Sequence, residues 1–451
     1  MSAPAGYVDW RTLLRDVASD IGLNIDQEVD LLSVAQFHEN QAGNRGKLNQ
    51  ILIDEFTKDV HATPNHDLIA RLPIDSVWTT NYDTLIEDAF KRAGRRPQVI
   101  HNQVQMSNRL RGSDVTVLKM HGDISRPDEA VLTRDDYETY PKQRQLFTER
   151  LEGELVSKTF LFLGFSFTDP NIEYVLSRVR VLIGQNVRNH FYVTKRPSLG
   201  ASASPEEKAE HEYLTRRLEL RMHDLKRYGI QTVLVDEYAE ITDLLESLNR
   251  MAHSSDVFVS GSAHEFGAYG REPTEELCRI LGRELIGSGL NLVNGFGLGI
   301  GGHVSMSALE SVYLIEGEQI ARRVLLRPFP QEVPETLTRA QVWTRYRQEM
   351  IGQAGHAVFI CGNKLDTSTG AVVPANGVRE EFEIAKALGK TLIPIGATGF
   401  LAKDLWDEVS GNLETAFSGD VATEFATIGD ESKSPVEIVR AVLSIINKQR
   451  R

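Results

Sequence analysis

The chain has 451 residues, a formal net charge of −13 and two cysteines, Cys278 and Cys361. That length predicts two or three domains, and the broad acidic excess argues against a general binder of nucleic-acid backbone. No apolar run reaches the roughly 18 residues that a membrane span needs, and the first ten residues, MSAPAGYVDW, lack the basic and apolar regions of a secretory signal, so a cytoplasmic protein is expected. Two lone cysteines, far apart in apolar settings, make neither a zinc ribbon nor a disulfide framework and are expected to be buried and inert.

Residues 1 to about 60 carry apolar positions at helical spacing over Trp10 to Ile21 and Gln27 to Phe37, and Gly43–Asn44 separates these from a third helix, Gly46 to Phe56. Pro64 and Asn65 break the pattern, and a helix leads to Pro73. Then VWTTNYDTLIE, Val77 to Glu87, reads as a buried strand, a polar turn and a helix start. Two more runs end the same way. VTVLKMHGD puts His121, Gly122 and Asp123 at a strand end, and TFLFLGFSFTDPN does so with Gly164, Ser166, Asp169 and Asn171. Strands follow at Asn189 to Lys195 and Gln231 to Glu237, with a charge-rich, solvated helix over Pro205 to Tyr228 between them. Alternation of this kind predicts a mostly parallel, doubly wound sheet, with Asn81 and Asp83 facing the crevice outside the strand ends.

A linker is expected at Met251 to Asp256, dividing the chain into domains over 1–250 and 256–451. The second series of strands ends at VFVSGSA (257–263), LNLVNGFGLGIGGH (290–303), RRVLLRPFP (322–330), AVFICGNK (357–364) and KTLIPIGATG (390–399). The fold class expected is therefore α/β, two Rossmann-like domains, each a mostly parallel sheet flanked by helices. In the second, Ser260, Gly261 and Ser262 end one strand, and NGFGLGIGG (294–302) places Gly295, Gly297 and Gly299 between a strand and a helix. Such turns let backbone N–H groups and a helix N-terminus close around phosphate. The same glycines also suit a purely structural turn.

Taken singly, the polar residues of the first half are ordinary. An Asn or Asp after a strand forms turns or caps helices, and a His beside Gly is a satisfied structural histidine. Together and in this order, the Asn-x-Asp, His-Gly and Gly-x-Ser elements resemble the sirtuin family. That resemblance implies cleavage of the nicotinamide–ribose bond of NAD. Asn81 would hold a water or the ribose, and His121 would bond ribose hydroxyls and act as a base. Asp83 would bond the nicotinamide side or fix the loop. Gly164 would let backbone approach the nucleotide, Ser166 would bond phosphate or ribose, and Asp169 and Asn171 would join the same site. The four zinc-ligand cysteines of deacylating sirtuins are absent between Gly122 and Tyr140. Water then replaces the acyl-peptide as acceptor, and no metal is expected. The family's Gly-Ala-Gly-x-Ser loop and the strand before it would precede Met1, so the expectation is either a reading frame that starts further upstream or a first domain that lacks this piece of its NAD site.

The second half resembles the SLOG family of nucleotide-ligand sensors. GVREEFEIA (377–385) matches part of the related LOG signature, with Val378 where that family has Thr, and Cys361-Gly362-Asn363-Lys364 replaces its Pro-Gly-Gly. This implies binding rather than phosphoribohydrolase chemistry. Glu381 would bond a ribose, and Arg327, Arg345, Arg347 or Lys364 would pair with phosphates. A sirtuin-like half followed by a SLOG half resembles the effectors of the bacterial Thoeris anti-phage system. The implied protein is a homotetramer or larger assembly. Its substrate is NAD, and its activator is a cyclic ADP-ribose isomer made by a partner TIR-domain enzyme. The rival expectation is a nucleotide-sensing oligomer without turnover.

Overall fold

The computed structural model describes residues 3–167, 169–184, 188–200 and 202–450. They form two compact units, Met1–Glu246 and Ser247–Arg451. Among the described residues no helix is long and apolar enough to cross a membrane.

The first unit opens with helices Trp10–Leu13, Arg15–Asp20, Leu31–Ala42 and Gly46–Phe56. The single helix expected from Trp10 to Ile21 breaks at Leu14, whose φ of −90° and ψ of 3° end one helix and start the next. The helix expected from Gln27 starts at Leu31, because the Asp30 carboxylate accepts the Ser33 N–H at 3.2 Å and sets the N-terminus there. Leu14, Val17, Val34, Leu48 and Leu52 pack into one cluster that also holds Tyr82 and Leu132. The helical layer thus grips a loop that follows the first strand.

The strands β1 (Ser76–Thr79), β2 (Pro97–Ile100) and β3 (Val115–Lys119) pair in parallel in the order β1-β3-β2. The strands β4 (Leu161–Leu163), β5 (His190–Lys195) and β6 (Ile230–Val235) form a second parallel sheet in the order β4-β5-β6. The one doubly wound sheet expected here is therefore two three-stranded sheets among the described residues. Side chains of the helix Gln145–Ser157 and its C-cap hold the edge of the first. Glu154 Oε2 accepts from Ser76 Oγ at 2.8 Å and from Trp78 Nε1 at 2.9 Å, while Lys158 Nζ donates to Asp75 at 2.7 Å and to Ser76 at 3.1 Å. Trp78, Phe160 and Phe162 share one apolar cluster with Phe147 and Tyr192, so side chains rather than a ladder join the two sheets.

In the second unit, β7 (Asp256–Ser262), β8 (Asn291–Asn294), β9 (Val324–Leu326), β10 (His356–Cys361) and β13 (Thr391–Pro394) form one parallel sheet, ordered β13-β10-β7-β8-β9. β11 (Asn363–Leu365) and β12 (Val372–Pro374) make an antiparallel hairpin, of which the stretch 357–364 took in only the start, as a continuation of β10. Every residue of β10 is buried, as expected of a central parallel strand covered on both faces. The order reverses at β7, and the C-terminal ends of β7 and β10 open the crevice where α/β sheets hold ligands. Cys278 and Cys361 are buried and free, and burial pushes the Cys361 thiol up to about 12, which keeps it inert.

Candidate functional site

The register of the first sheet pairs Thr79 of β1 with Lys119 of β3. Asn81 and His121 each lie two residues beyond that pair, so adjacent parallel strands deliver them to one edge at the same level. The Asn81 N–H donates to Thr79 Oγ1 at 3.0 Å. Asp83 is buried, and its Oδ1 accepts the Leu85 N–H at 3.0 Å.

Beneath this edge sits a charge the sequence reading missed. Lys119 is fully buried, and its ammonium donates to the Tyr82 carbonyl at 3.0 Å, to the Asp83 carbonyl at 2.6 Å and to the Asp123 carboxylate, with Glu87 at 2.9 Å. One cation therefore ties the loop after β1 to the loop after β3. The Ile124 N–H adds a backbone link to the Tyr82 carbonyl at 3.1 Å. Burial pushes the Glu87 carboxyl up, against the pull of Lys119. The Asp123 carboxyl is held down: burial opposes, but the Lys119 ammonium and the Ser125 hydrogen bonds outweigh it. The available signal was a lysine closing the mainly apolar run Val115–Leu118, since a charge buried with a strand must find partners.

His121 is 6% exposed, and its Nε2 lies 2.8 Å from Asp169 Oδ2. Asp169 caps the helix Pro170–Ile183, its Oδ1 accepting the N–H groups of Asn171 at 2.8 Å and Ile172 at 3.3 Å. Tyr137 stands edge-on to the imidazole with centroids 5.5 Å apart, and its hydroxyl lies 3.5 Å from the same Asp169 oxygen. Burial would raise the Asp169 carboxyl, yet the His121 ring and the two helix N–H groups outweigh it and hold it below the usual range. Gly164, at φ 61°, and Ser166 are exposed in the turn between β4 and Asp169. Asn171 is buried, and its Nδ2 donates to no described residue. Of the residues expected here, Asn81 and His121 follow neighbouring strand ends, and Asp169 approaches His121 directly.

The polar groups expected to bind an effector in the second unit divide into two kinds. Ser260 Oγ donates to Glu381 Oε2 at 2.5 Å, and Ser262 Oγ donates to the Asn363 carbonyl at 3.0 Å. Glu381 is buried and also meets Arg347 Nε at 3.3 Å, while Arg347 Nη1 reaches Glu380 at 2.8 Å. These groups are committed within the fold. The glycines serve close approach: a Cβ on Gly297 would lie 1.9 Å from the Gly261 carbonyl oxygen, and one on Gly299 would lie 2.4 Å from that of Ala263. Gly295 packs likewise against Phe329 and Met350. The Gly-rich turn is thus pressed onto the end of β7, with buried Asn294 accepting the Phe296 N–H at 2.6 Å. Phe296 is held at φ 62° and is 51% exposed. Arg327 is half-buried, 6.0 Å over the Tyr346 ring, and Lys364 is exposed on the hairpin; neither cation has a carboxylate partner among the described residues.

Known proteins share this two-part arrangement. Residues 240–449 match the Sir2- and TIR-associating SLOG family, and residues 75–219 match the SIR2-like domain. NAD(+) hydrolase ThsA of Bacillus cereus (strain MSX-D12) is 41% identical over 452 residues, covering 99% of this chain and 93% of that protein. NAD(+) hydrolase ThsA of Cytobacillus dafuensis is 40% identical over 457 residues, covering 100% of this chain and 92% of that one. Defense-associated sirtuin 2 of Bacillus subtilis is 30% identical over 172 residues, which is 38% of this chain and 17% of that protein. With two parallel α/β units, and with identity of this order across nearly its whole length, the chain belongs to the ThsA family of NAD(+) hydrolases, a SIR2-like domain joined to a SLOG domain.

Proposed function

We propose that this chain hydrolyses NAD to ADP-ribose and nicotinamide at the edge where Asn81 and His121 meet, and that a cyclic ADP-ribose isomer held by the second unit switches the reaction on. The observation that carries the reading is that Asn81 and His121 each follow by two residues the last paired residues of adjacent parallel strands, with Asp169 Oδ2 2.8 Å from the imidazole Nε2. Loss of nicotinamide leaves positive charge at the anomeric carbon, so the site must hold the ribose and aim a water at the opposite face. Asn81 is suited to orient that water or the ribose, and His121 to take its proton. Gly164, Ser166 and Asn171 lie on the segment from β4 into the next helix, whose N-terminus favours phosphate oxygens.

Residues 1–250 would serve as the hydrolase and 256–451 as the sensor. Arg327 and Lys364, cations without carboxylate partners among the described residues, suit a pyrophosphate, and the exposed Phe296 suits a base. A partner TIR-domain enzyme would supply the cyclic nucleotide in anti-phage defence, and NAD depletion would follow in an assembly of four or more copies. A switch of this kind needs the ligand to favour the active arrangement by about 2–4 kcal/mol. Incubation of the full chain with NAD, with and without a panel of cyclic ADP-ribose isomers, tests the reading through free nicotinamide. Release is expected with one isomer and near silence without it. Constitutive release unaffected by every isomer removes the sensor role. No release under any condition leaves a nucleotide-binding oligomer. Asn81→Ala and His121→Ala should each abolish release while keeping the melting temperature.

A further inference from the structure

We propose that Asp169 is a positioning residue that sets the tautomer and orientation of His121, holding it as a base through Nδ1. The inference rests on the reading that this edge cleaves NAD. Each oxygen of the carboxylate has a separate task. Oδ1 accepts two N–H groups at the start of the helix Pro170–Ile183, at 2.8 and 3.3 Å, and Oδ2 lies 2.8 Å from His121 Nε2. The helix therefore fixes the carboxylate, and the carboxylate fixes the ring.

An Nε2–H turned toward this carboxylate would leave the other ring nitrogen, Nδ1, to accept a proton. Tyr137, edge-on at 5.5 Å and 70°, restricts rotation of the imidazole, and its hydroxyl adds a contact to Oδ2 at 3.5 Å. Nδ1 then takes a proton from the attacking water as the new C–O bond forms at the anomeric carbon. The C–N bond breaks, and its electron pair leaves with nicotinamide. The resulting imidazolium is stabilised by Asp169, and its proton passes to solvent, so NAD and water give ADP-ribose, nicotinamide and one proton. The other titratable groups that feel this carboxylate are Tyr82, Tyr137 and Tyr140, and burial, the largest influence on each, keeps all three neutral.

Asp169→Asn separates the two tasks, because Asn keeps an oxygen for the helix N–H groups but removes the charge facing the ring. The full chain carrying this change is expected to melt with the wild type and to bind NAD with a KM within about twofold. Its kcat should fall at least about tenfold, the direction seen wherever a histidine base loses its orienting carboxylate. Asp169→Ser caps through its hydroxyl and offers the ring no second oxygen, so it should show the same split and guards against misfolding of the first variant. An unchanged kcat in either folded variant overturns the proposal. The parent reading fails differently: full turnover in His121→Ala or Asn81→Ala would remove the site itself, whereas a silent His121→Ala beside a fully active Asp169→Asn removes the positioning role and leaves the site standing.

Discussion

Each unit buries a cation beneath a strand edge, and the two do it differently. In the SIR2-like unit, Lys119 collects two carbonyls from the loop after β1, the Asp123 carboxylate from the loop after β3 and the Glu87 carboxylate from the helix Leu85–Arg92. In the SLOG unit, Arg347 spreads its guanidinium between Glu380 and Glu381 and stacks 4.8 Å over Phe329 and 5.8 Å over Trp343. An ammonium is a compact point charge that can gather acceptors converging from several directions. A guanidinium is a planar fork that pairs and stacks at once. Lysine accordingly pins two loops that must hold Asn81 and His121 level, and arginine braces an aromatic wall. A buried charge under a ligand edge is thus a device for fixing loops, and its chemistry follows the shape of what it fixes.

The largest expected effect comes from removing the lysine. Lys119→Met leaves Glu87 and Asp123 buried without their cation and should cost about 3–5 kcal/mol in denaturant unfolding. A loss below about 1 kcal/mol would mean the loops hold themselves. Arg347→Lys should cost less, about 2 kcal/mol, because Glu381 keeps the Ser260 hydroxyl while the stack and one arm of the fork are lost. Equal losses at both sites would erase the distinction between point charge and fork.

The comparison also shows what the sequence makes legible. The parallel strands and their polar ends stand out because β-branched and aromatic runs break sharply into turn residues, as at Val77–Asp83 and Leu290–Gly302. Asn81 and His121 are visible because each terminates such a run. The partner of His121 is not, since Asp169 looks like any helix cap until tertiary packing aims its second oxygen. Lys119 at the end of its strand hints at a buried charge, but its partners Asp123 and Glu87 are not legible, because one-dimensional patterning cannot pair groups from different elements. In the second unit, the expected serines and glycines lie at or just beyond the ends of β7 and β8, yet Ser260, Ser262 and Glu381 are joined to other parts of the fold. The split of the first sheet lies beyond pattern reading as well, because strand neighbours depend on contacts such as Glu154 with Ser76 and Trp78.

A smaller effect should appear at the SLOG cations. Arg327→Ala or Lys364→Ala should weaken an activating cyclic nucleotide roughly tenfold, seen as a shift in the half-activating concentration, without moving the melting temperature. Unchanged activation in both would send the ligand elsewhere.

The smallest effect is a slope. Burial raises the folded-state pKa of Glu87, so the folded chain favours its protonated form more than the unfolded chain does. A carboxyl raised on folding contributes stability below its unfolded value, about 4.3, and that contribution is lost as pH climbs through the raised value. Asp123 runs the other way: its lowered carboxyl contributes above about 3.9 and loses that contribution as pH falls. Glu87→Gln removes the first dependence and leaves the second. Melting curves of wild type and variant should therefore diverge as pH rises from about 4, with the wild type losing ground, and should fall together on the acid side, where Asp123 acts in both. Parallel curves across that whole range would mean Lys119 fully neutralises the cost of burying Glu87, and the SIR2-like unit would then hold a balanced ion cluster rather than one carboxylate kept at a disadvantage to hold two loops in place.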